Sequence, residues 1–195
     1  MTAQANMADQ AAHPPDAADL RRSLHEPERF TAIYDRYFTA VYKYVAGRLG
    51  PQAADDLAAE TFLIAFHKRG TFDPRRGAVR PWLFGIATNL VAQHRRDEVR
   101  RYRALARAGA ERHTTGGHED RVVRLVTAER MQPALARALA KLSRGERDVV
   151  LLVALSGLAH EEVAQALDIP YGTVGSRLSR ARRKLRAALG QEEAR

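Results

Sequence analysis

The sequence predicts an all-α fold made of two small helical domains joined by a flexible linker. Apolar residues recur at helical spacing along most of the chain, and the stretch Thr114-Thr115-Gly116-Gly117 interrupts that pattern. Twelve of the thirteen Phe, Tyr and Trp residues lie between Phe30 and Tyr102, which indicates two bodies with different cores. We therefore divide the chain into a disordered leader (residues 1–25), a first domain (26–103), a linker (104–120) and a second domain (121–195).

The composition favours a polyanionic partner and excludes several kinds of site. The chain of 195 residues carries a formal net charge of +9, and a strongly basic balance is typical of proteins that bind nucleic acid. It contains no cysteine, which excludes disulfides, thiolate metal sites and cysteine nucleophiles and fits a reducing cytoplasm. No apolar run approaches the roughly 20 residues that span a bilayer, and the N-terminus does not resemble a secretory signal. We expect a cytoplasmic protein without membrane insertion.

The leader is followed by two predicted helices. The first 25 residues are rich in Ala, Asp, Gln and Pro, which is typical of a mobile segment. A helix with a broad apolar stripe is predicted from about Pro27 to Leu49, where Gly50-Pro51 ends it. A second helix is predicted from about Pro51 to Lys68. Its acidic residues lie early, where the positive helix end favours them: Asp55, Asp56 and Glu60.

A basic loop and a long helix come next. Residues 69–80 (RGTFDPRRGAVR) contain two glycines and a proline and are predicted to form a loop. Pro81 suits the first turn of a helix that runs to about Arg103 and is strongly cationic at its far end. Trp82 either packs under the loop or stacks on a nucleic-acid base. Packing under the loop is favoured, because large aromatic side chains are usually part of the hydrophobic core.

The linker does not contain a convincing metal site. It holds His113 and His118 but neither cysteine nor paired carboxylates to complete a ligand set, so we predict no metal and no cofactor. Beyond it, apolar residues at helical spacing predict a helix over about residues 121–142. Ser143 and Glu146 have the spacing of a capping box for the next helix, which Gly157 ends.

Residues 157–189 predict two helices joined by a tight turn. The first runs over about residues 160–167 and follows Ala159, a poor N-cap whose weakness costs on the order of 1 kcal/mol. Pro170 cannot continue a helix, and Asp168 tolerates a left-handed turn position. A short helix followed by such a turn is typical of the first half of a helix-turn-helix.

The second of these helices is cationic on its outer face. Thr173 is its predicted N-cap, Val174 and Leu178 begin its apolar stripe, and no acidic residue occurs at positions 172–189. A basic helix can also be a solvated face, a membrane-surface helix or a calmodulin-type target. The small residues at its start let the helix N-terminus approach phosphate, so a DNA-reading helix-turn-helix is favoured over a packed helical hairpin.

Three stretches resemble the regions of bacterial sigma factors, especially the small extracytoplasmic-function (ECF) type. The stretch ALAKLSRGERDVVLLVALSGLAHEEVAQALDIPYGTVGSRLSRARRKLRAAL resembles region 4, and its core is fairly specific: Gly172, Thr173, Val174, Ser176, Arg177, Arg180 and Ala181. DDLAAETFLIAF resembles region 2.2, and RPWLFGIATNLVAQHRR resembles regions 2.3 and 2.4. One departure is Gly175, which stands where many relatives carry a basic residue.

The resemblance implies an alternative sigma factor that recognises the −35 promoter element and melts the −10 element. The implied partners are core RNA polymerase (its β′ clamp helices and β flap), promoter DNA and an anti-sigma factor. The implied polymerase-docking residues are Asp55, Asp56, Glu60, Phe62 and Leu63. The implied −10 residues are Phe72, Arg75, Arg76, Arg80, Trp82, Asn89, Arg95 and Arg96. The implied −35 residues are Thr173, Ser176, Arg177, Arg180, Arg183 and Lys184.

Two other classes of function are weighed against this one. A stand-alone helix-turn-helix regulator would use its N-terminal half to sense a ligand or to dimerise, and would bind duplex DNA by itself. The pairing of DDLAAETF with RPWLFGIATN argues against it, because a sensor domain has no reason to contain both. A nucleic-acid enzyme is disfavoured because the chain has no cysteine, P-loop, HExxH motif or cluster of carboxylates with a histidine. We therefore expect no catalysis.

Overall fold

The computed structural model describes residues 14–109 and 133–190, and every regular element within those ranges is helical. The first range, called the first unit, holds α1 (Pro14–Arg22), α2 (Thr31–Leu49), α3 (Pro51–Lys68) and α4 (Val79–Gly109). Single 3₁₀ turns at Pro27–Phe30 and Arg69–Thr71 precede α2 and follow α3. The second range, called the second unit, holds α5 (Pro133–Ala140), α6 (Arg144–Ser156), α7 (His160–Leu167) and α8 (Tyr171–Gly190). The predicted all-α fold is confirmed for these residues.

Aromatic side chains form the centre of the first unit, between α2, α3 and α4. Tyr44 and Phe84 are fully buried and meet edge to face, with ring centroids 5.5 Å apart. The Tyr44 hydroxyl lies 2.8 Å from both Thr88 Oγ1 and Arg48 Nη1. Burial raises the pKa of Tyr44. The buried phenol therefore remains a neutral group whose polar atom is paired.

The segment predicted as a disordered leader is ordered from residue 14 onward. Leu20 of α1 is 1% exposed, and α1 lies against α2 and both 3₁₀ turns. Asp16 is buried, accepts a hydrogen bond from the Tyr37 hydroxyl and forms an ion pair with Arg36. The prediction of disorder is therefore wrong for residues 14–25. Partners on α2, distant in the sequence, hold this segment in place.

The second unit begins its helices with the caps that the sequence predicts. Ser143 Oγ accepts a hydrogen bond from the Glu146 N–H at 3.3 Å, and Glu146 Oε2 accepts one from the Ser143 N–H at 2.9 Å, which completes the capping box. Gly157 ends α6 at φ +60°, a left-handed conformation that glycine adopts without steric cost. Ala159 provides no side-chain cap for α7, but Glu162 Oε2 accepts the Ala159 N–H at 2.9 Å and partly compensates.

The turn between α7 and α8 begins as predicted, but α8 starts earlier than predicted. Asp168 adopts the expected left-handed geometry, at φ +50°. Because α8 starts at Tyr171, the prediction that Thr173 is its N-cap is wrong. The Thr173 N–H donates to the Pro170 carbonyl at 2.8 Å, which closes the first turn and places Thr173 inside the helix.

The long helix α4 continues past its predicted end near Arg103 and reaches Gly109, inside the predicted linker. The remainder of that linker, with His113 and His118, lies outside the described residues. The helix predicted over residues 121–142 is described only from α5 onward.

The two units pack against each other, with α2 and α4 facing α6 and α7. Arg48 of α2 and Asp148 of α6 form an ion pair of 2.6 Å, and neither side chain is more than 8% exposed. Arg80 of α4 binds both carboxylate oxygens of Glu162 on α7, at 3.0 and 2.8 Å. Buried apolar side chains of both units form one continuous core, so the two predicted bodies share a core. We call this packing the closed arrangement.

Two glycines allow the units to approach closely. A Cβ added at Gly85 would lie 2.7 Å from the carbonyl oxygen of Ala166 on α7. A Cβ added at Gly47 would lie 2.7 Å from Cδ1 of Leu155 on α6. Since Cβ atoms do not approach a backbone oxygen this closely, a side chain at position 85 would push α7 away from α4.

Glu146 connects α6 to α8 in addition to capping α6. Lys184 Nζ lies 3.1 and 2.8 Å from the two Glu146 oxygens, and Arg180 Nε lies 3.7 Å from one of them. The hydrogen bond from Lys184, followed by the backbone bond from Ser143, lowers the pKa of Glu146 from 4.5 to about 2. Because the folded-state pKa is depressed, these contacts stabilise the fold above about pH 4.5, and the stabilisation is lost as the pH falls toward 2.

Leu20→Ala should lower the free energy of unfolding by about 2–4 kcal/mol, because it leaves a cavity between α1 and the rest of the first unit. Urea denaturation at neutral pH measures this change. Leu24→Ala is the matched control: Leu24 is 42% exposed, and its truncation should cost less than about 1 kcal/mol. Equal effects of the two substitutions would show that α1 does not belong to the folded core.

Lys184→Met should lower the urea midpoint at neutral pH by removing the main partner of Glu146. The difference from the parent protein should narrow as the pH falls from about 4.5 toward 2, where the folded-state Glu146 becomes protonated. Parallel urea titrations across this range measure it. Lys141→Met removes an exposed lysine just after α5 and serves as the control. A difference that stays constant with pH would contradict the assignment to Glu146.

Candidate nucleic-acid interface

The outer face of α8 carries the residues predicted to read the −35 element. Val174, Leu178 and Ala181 are buried against the other helices of the second unit, which confirms the start of the predicted apolar stripe. This packing directs the cationic side of α8 outward. The predicted −35 residues that are exposed are Ser176, Arg180, Arg183 and Lys184, whereas Thr173 and Arg177 are half-buried.

The first turns of α8 leave room for a ligand to approach. A Cβ on Gly172 or Gly175 would meet no atom within 4 Å, and Tyr171 is 57% exposed. The Ser176 hydroxyl donates to the Thr173 carbonyl at 3.1 Å. The backbone at the start of α8 is therefore uncovered, and its positive helix end is accessible to phosphate.

The cations of α8 are positioned by the start of α6. The Arg177 guanidinium lies over Gly145, where an added Cβ would meet Nη1 at 2.8 Å. Arg180 and Lys184 flank Glu146 but remain 52% and 43% exposed, so a phosphate can still reach them. Sequence reasoning placed Glu146 only in the capping box and missed this second role, because the partners lie far along the chain.

Two aromatic side chains pack together beneath the predicted −10 loop. The rings of Phe72 and Trp82 are tilted against each other with centroids 5.2 Å apart, and both side chains are half-buried. Trp82 thus packs under the loop, as favoured from the sequence. Asp73 Oδ1 accepts the Arg75 N–H at 2.9 Å, which fixes the turn of the loop and leaves Arg75 and Arg76 exposed.

A cleft of about 260 Å³ lies between this loop and the second unit. Gln165 Oε1 of α7 accepts the Ala78 N–H at 3.3 Å. Asp168 Oδ1, in the turn after α7, lies 3.9 Å from Arg76 Nη2. The α7 helix and its turn therefore border the predicted −10 site. The side chains that line the cleft include Phe72, Asp73, Arg76, Trp82, Gln165 and Asp168.

Arg80, one of the predicted −10 residues, is buried in this structure rather than exposed beside the loop. Arg80 is 4% exposed, binds Glu162 through both carboxylate oxygens and donates to the Ser156 carbonyl through Nη2. The first turn of α4 faces α7, so the side chain points into the junction between the units. In the closed arrangement Arg80 is a structural residue.

The remaining predicted −10 residues lie along α4 and differ in exposure. Asn89 and Arg96 are exposed, whereas Arg95 is half-buried and donates through Nη2 to the Arg48 carbonyl at 2.7 Å. Burial, followed by the nearby charges of Arg48 and Arg147, lowers the pKa of Arg95 to about 10. Arg95 lines a second cleft, of about 420 Å³, in which arginines of the two units face each other: Arg48, Arg95, Arg96 and Arg100 with Arg144 and Arg147.

The predicted polymerase-docking face lies on α3. Asp55, Asp56 and Glu60 are exposed, and Leu63 is 56% exposed. Phe62 is 3% exposed, so the prediction that it takes part in docking is wrong for this structure. Consecutive residues of an α-helix point about 100° apart, so Phe62 faces the core while its neighbour Leu63 faces outward.

Sequence reasoning missed an aromatic strip beside this face. Tyr34 is 38% exposed and stacks on Phe38, with ring centroids 4.8 Å apart. Both rings also contact Phe62, at centroid distances of 5.0 and 5.9 Å. The aromatic repeat at positions 34, 38 and 42 was the available signal, because residues four apart share one helix face.

Within the described ranges, no group of three or more His, Asp or Glu side chains is arranged to hold a metal ion. The helices of residues 14–109 and 133–190 are each too short or too polar to cross a membrane.

Family models match both units. The model for sigma-70 region 2 matches residues 33–101, which lie in the first unit. The model for sigma-70 region 4 matches residues 133–185, which lie in the second unit. The matched stretches contain the predicted −10 loop, the predicted docking face on α3 and the helix-turn-helix described above.

Curated relatives with similar sequences are named as ECF RNA polymerase sigma factors. The chain is 32% identical to the ECF RNA polymerase sigma factor BldN of Streptomyces coelicolor over 169 residues, which cover 85% of this chain and 62% of BldN. It is 35% identical to SigC of Mycobacterium tuberculosis over 152 residues, covering 75% of this chain and 76% of SigC. It is 32% identical to SigW of Bacillus subtilis, covering 84% of this chain and 90% of SigW.

Solved structures show the same fold. CnrH, in complex with the cytosolic domain of CnrY, superposes with a TM-score of 0.65 at 26% identity over 90% of this chain and 97% of that one. The sigma factor RpoE of Bartonella quintana, in complex with the anti-sigma factor NepR, superposes with a TM-score of 0.60 at 23% identity over 84% of this chain and 98% of that one. With regions 2 and 4 both matched and named ECF relatives at this similarity, the chain belongs to the ECF group of sigma-70 RNA polymerase sigma factors.

Proposed function

We propose that the chain binds core RNA polymerase and directs it to promoters by recognising a −35 element and opening a −10 element. The observation that carries this proposal is the presence of regions 2 and 4 in one chain, each with an accessible basic surface. Holding two weak DNA-binding surfaces on one enzyme raises the effective concentration of the second contact once the first has formed.

The −35 contact is assigned to the start of α8. Its N-terminal turns enter the major groove, where the open space at Gly172 and Gly175 lets the backbone approach the duplex. Arg177 and Arg180 contact bases or phosphates, with Thr173 and Ser176 near the sugar–phosphate backbone. Arg183 and Lys184 neutralise phosphates, and Lys184 exchanges its Glu146 partner for this purpose.

The −10 contact is assigned to the loop at residues 72–80 and the exposed side of α4. An unpaired base needs a pocket and its strand needs a cationic path. Phe72 and Trp82 form the floor of the pocket. Asn89, an exposed residue of α4, provides an amide that can form hydrogen bonds with a base. The cationic path runs through Arg75, Arg76, Arg95 and Arg96.

The polymerase contact is assigned to the exposed face of α3. Asp55, Asp56 and Glu60 form an acidic patch suited to a basic partner, for which the family's β′ clamp helices are the candidate. Leu63 supplies the apolar anchor, because it is 56% exposed next to that patch. The second unit would contact the β flap.

The proposal also covers catalysis, cellular location and a regulatory partner. The chain serves as a specificity subunit rather than an enzyme, since polymerase forms the phosphodiester bonds and strand opening follows from capture of unpaired bases. It requires no metal or cofactor and acts in the cytoplasm. An anti-sigma factor is a further partner, supported by the complexes named for CnrH with CnrY and RpoE with NepR.

The deciding experiment is a pull-down with core polymerase followed by run-off transcription on genomic fragments of the source organism. We expect the chain to copurify with core and to direct initiation at a small subset of fragments. A chain that binds a palindromic site tightly as a dimer and ignores core polymerase would instead be a stand-alone regulator.

Asp55→Lys with Asp56→Lys should weaken binding to core polymerase by at least about 10-fold, because two attractive charges become repulsive at the docking face. Binding of isolated −35 duplex should not change. Surface plasmon resonance with immobilised core measures the first effect. Glu28→Lys with Glu161→Lys makes the same change in net charge at two exposed positions elsewhere and should leave core binding intact. A loss with the control pair as well would show only a general charge effect.

Arg177→Ala with Arg180→Ala should weaken binding to −35 duplex about 10- to 100-fold and spare core binding, since charged base or phosphate contacts are each worth roughly 1–3 kcal/mol. Fluorescence anisotropy at fixed salt measures the DNA affinity. Lys141→Ala with Arg186→Ala removes the same charge from exposed positions and is the control. Arg177 packs over Gly145, so circular dichroism should verify that the fold is retained. Equal losses of DNA and core binding would contradict the separate assignments.

A further inference from the structure

We infer that the cleft between α4 and the start of α6 is a binding site for a small polyphosphate, such as inorganic tripolyphosphate or the triphosphate chain of a nucleotide. Six arginines of the described residues line this cleft, which we call the arginine cleft: Arg48, Arg95, Arg96, Arg100, Arg144 and Arg147. The inference does not depend on the proposed function, because it concerns a ligand that the free chain would bind without polymerase or promoter DNA.

The arginine cleft concentrates positive charge from both units. Three of its arginines come from α4, two from α6 and one from the end of α2. Asp148 is the one carboxylate among the described lining residues; it pairs with Arg48 at 2.6 Å and lies 3.7 Å from Arg144 Nε. Arg100 also pairs with Asp97 along α4. These two carboxylates do not balance six guanidinium groups, so the described groups leave a positive potential in the cleft.

Neutral backbone groups hold two of these arginines in place. Arg95 donates through Nη2 to the Arg48 carbonyl at 2.7 Å. Arg147 donates to three carbonyls at the end of α5 and just after it, at distances between 3.0 and 3.1 Å. A carbonyl acceptor fixes the position of a guanidinium group without neutralising its charge. The cleft is therefore preorganised to receive an anion.

The pKa of Arg95 reflects the crowding of cations in the cleft. Burial, followed by the charges of Arg48 and Arg147, lowers this pKa from 12.5 to about 10. A nearby anion would act in the opposite direction, because negative charge favours the protonated guanidinium group. The fold thus brings like charges together at a place where a polyanion would relieve their repulsion.

Arg48 provides an independent indication of a ligand. Its side chain is 3% exposed, and it donates through Nη1 to the Tyr44 hydroxyl and through Nη2 to Asp148, at 2.8 and 2.6 Å. Its Nε is buried and has no hydrogen-bond partner among the described residues. An unsatisfied buried donor is costly. A phosphate oxygen in the cleft that Arg48 lines would supply an acceptor for a charged donor.

The size and lining of the cleft favour a small ligand that is recognised by its phosphates. The volume of about 420 Å³ lies near the lower end of the roughly 300–1,000 Å³ typical of small-molecule sites. None of the described lining residues is aromatic, so a base would find no stacking surface there. Guanidinium groups match phosphate through paired N–H donors. We therefore expect binding that strengthens with the number of linked phosphates and depends little on a base.

Isothermal titration calorimetry of the full-length chain with inorganic tripolyphosphate, without divalent cations, tests the site. ATP, GTP and orthophosphate are titrated in parallel. We expect one tripolyphosphate to bind per chain, with orthophosphate at least about 10-fold weaker because it carries less charge. Equal affinities for tripolyphosphate, ATP and GTP would identify the phosphate chain as the recognised group. Tighter binding of one nucleotide would identify that nucleotide as the source of the chain.

A pair of substitutions at the exposed edge of the cleft locates the binding. Arg96→Gln with Arg144→Gln removes one exposed arginine from each unit and should weaken tripolyphosphate binding at least about 10-fold. Arg182→Gln with Arg186→Gln removes two exposed arginines of α8 that do not line the cleft and is the matched control. At physiological salt the control should change the affinity less than about 2-fold, because distant exposed charges are screened. Thermal unfolding without ligand verifies that both variants fold like the parent chain.

Three results would overturn the inference. The first is the absence of saturable binding by the parent chain. The second is an equal loss of affinity in the two double variants, which would show only a general attraction of anions to a basic protein. The third is displacement of tripolyphosphate by a short oligothymidylate at a concentration about 10-fold lower than ATP requires, which would make the cleft a nucleic-acid groove. The pull-down and run-off assay tests the proposed function separately, so the two can fail independently.

Discussion

Two arginine–carboxylate pairs, each with a buried arginine, join the two units of this molecule. Arg48 and Asp148 are 100 residues apart in the sequence, and Arg80 and Glu162 are 82 residues apart. Apolar surfaces alone tolerate many relative orientations, whereas a buried charge tolerates only the one that pairs it. The approach of α7 to α4, the cleft over the predicted −10 loop and the burial of Arg80 all depend on these pairs.

Local signals in the sequence predicted much of the secondary structure. The bounds of α3 at Pro51–Lys68 and of α7 at His160–Leu167 were predicted correctly, because Gly50-Pro51 separates α3 from α2 and Asp168-Ile169-Pro170 prevents α7 from continuing. The capping box at Ser143 depends on residues only three positions apart and was recognised for the same reason. Such features depend only on residues that are close together in the chain, so a single sequence is sufficient to predict them.

Features that depend on distant partners were not predictable from one sequence. Residues 14–25 have a composition typical of disorder, yet Asp16 and Leu20 find their partners on or near α2. An arginine beside a basic loop looks the same in one sequence whether it faces phosphate or a carboxylate 82 residues away, so the pairing of Arg80 with Glu162 could not be predicted. The choice between Phe62 and Leu63 as the exposed residue required the rotation of α3 in the packed unit. For the exposed cations of α8, in contrast, amphipathic spacing was sufficient.

The empty space around Gly175 has a consequence for how such proteins diversify. A side chain there would extend from the outer face of α8 without displacing any neighbour within 4 Å. Replacement of a mid-helix glycine also favours the helical backbone by up to about 1 kcal/mol. A side chain can therefore be added at this position at no structural cost. In the −35 contact proposed for α8, such a side chain would reach toward the duplex, so the choice of target genes would change while the helices beneath stay the same.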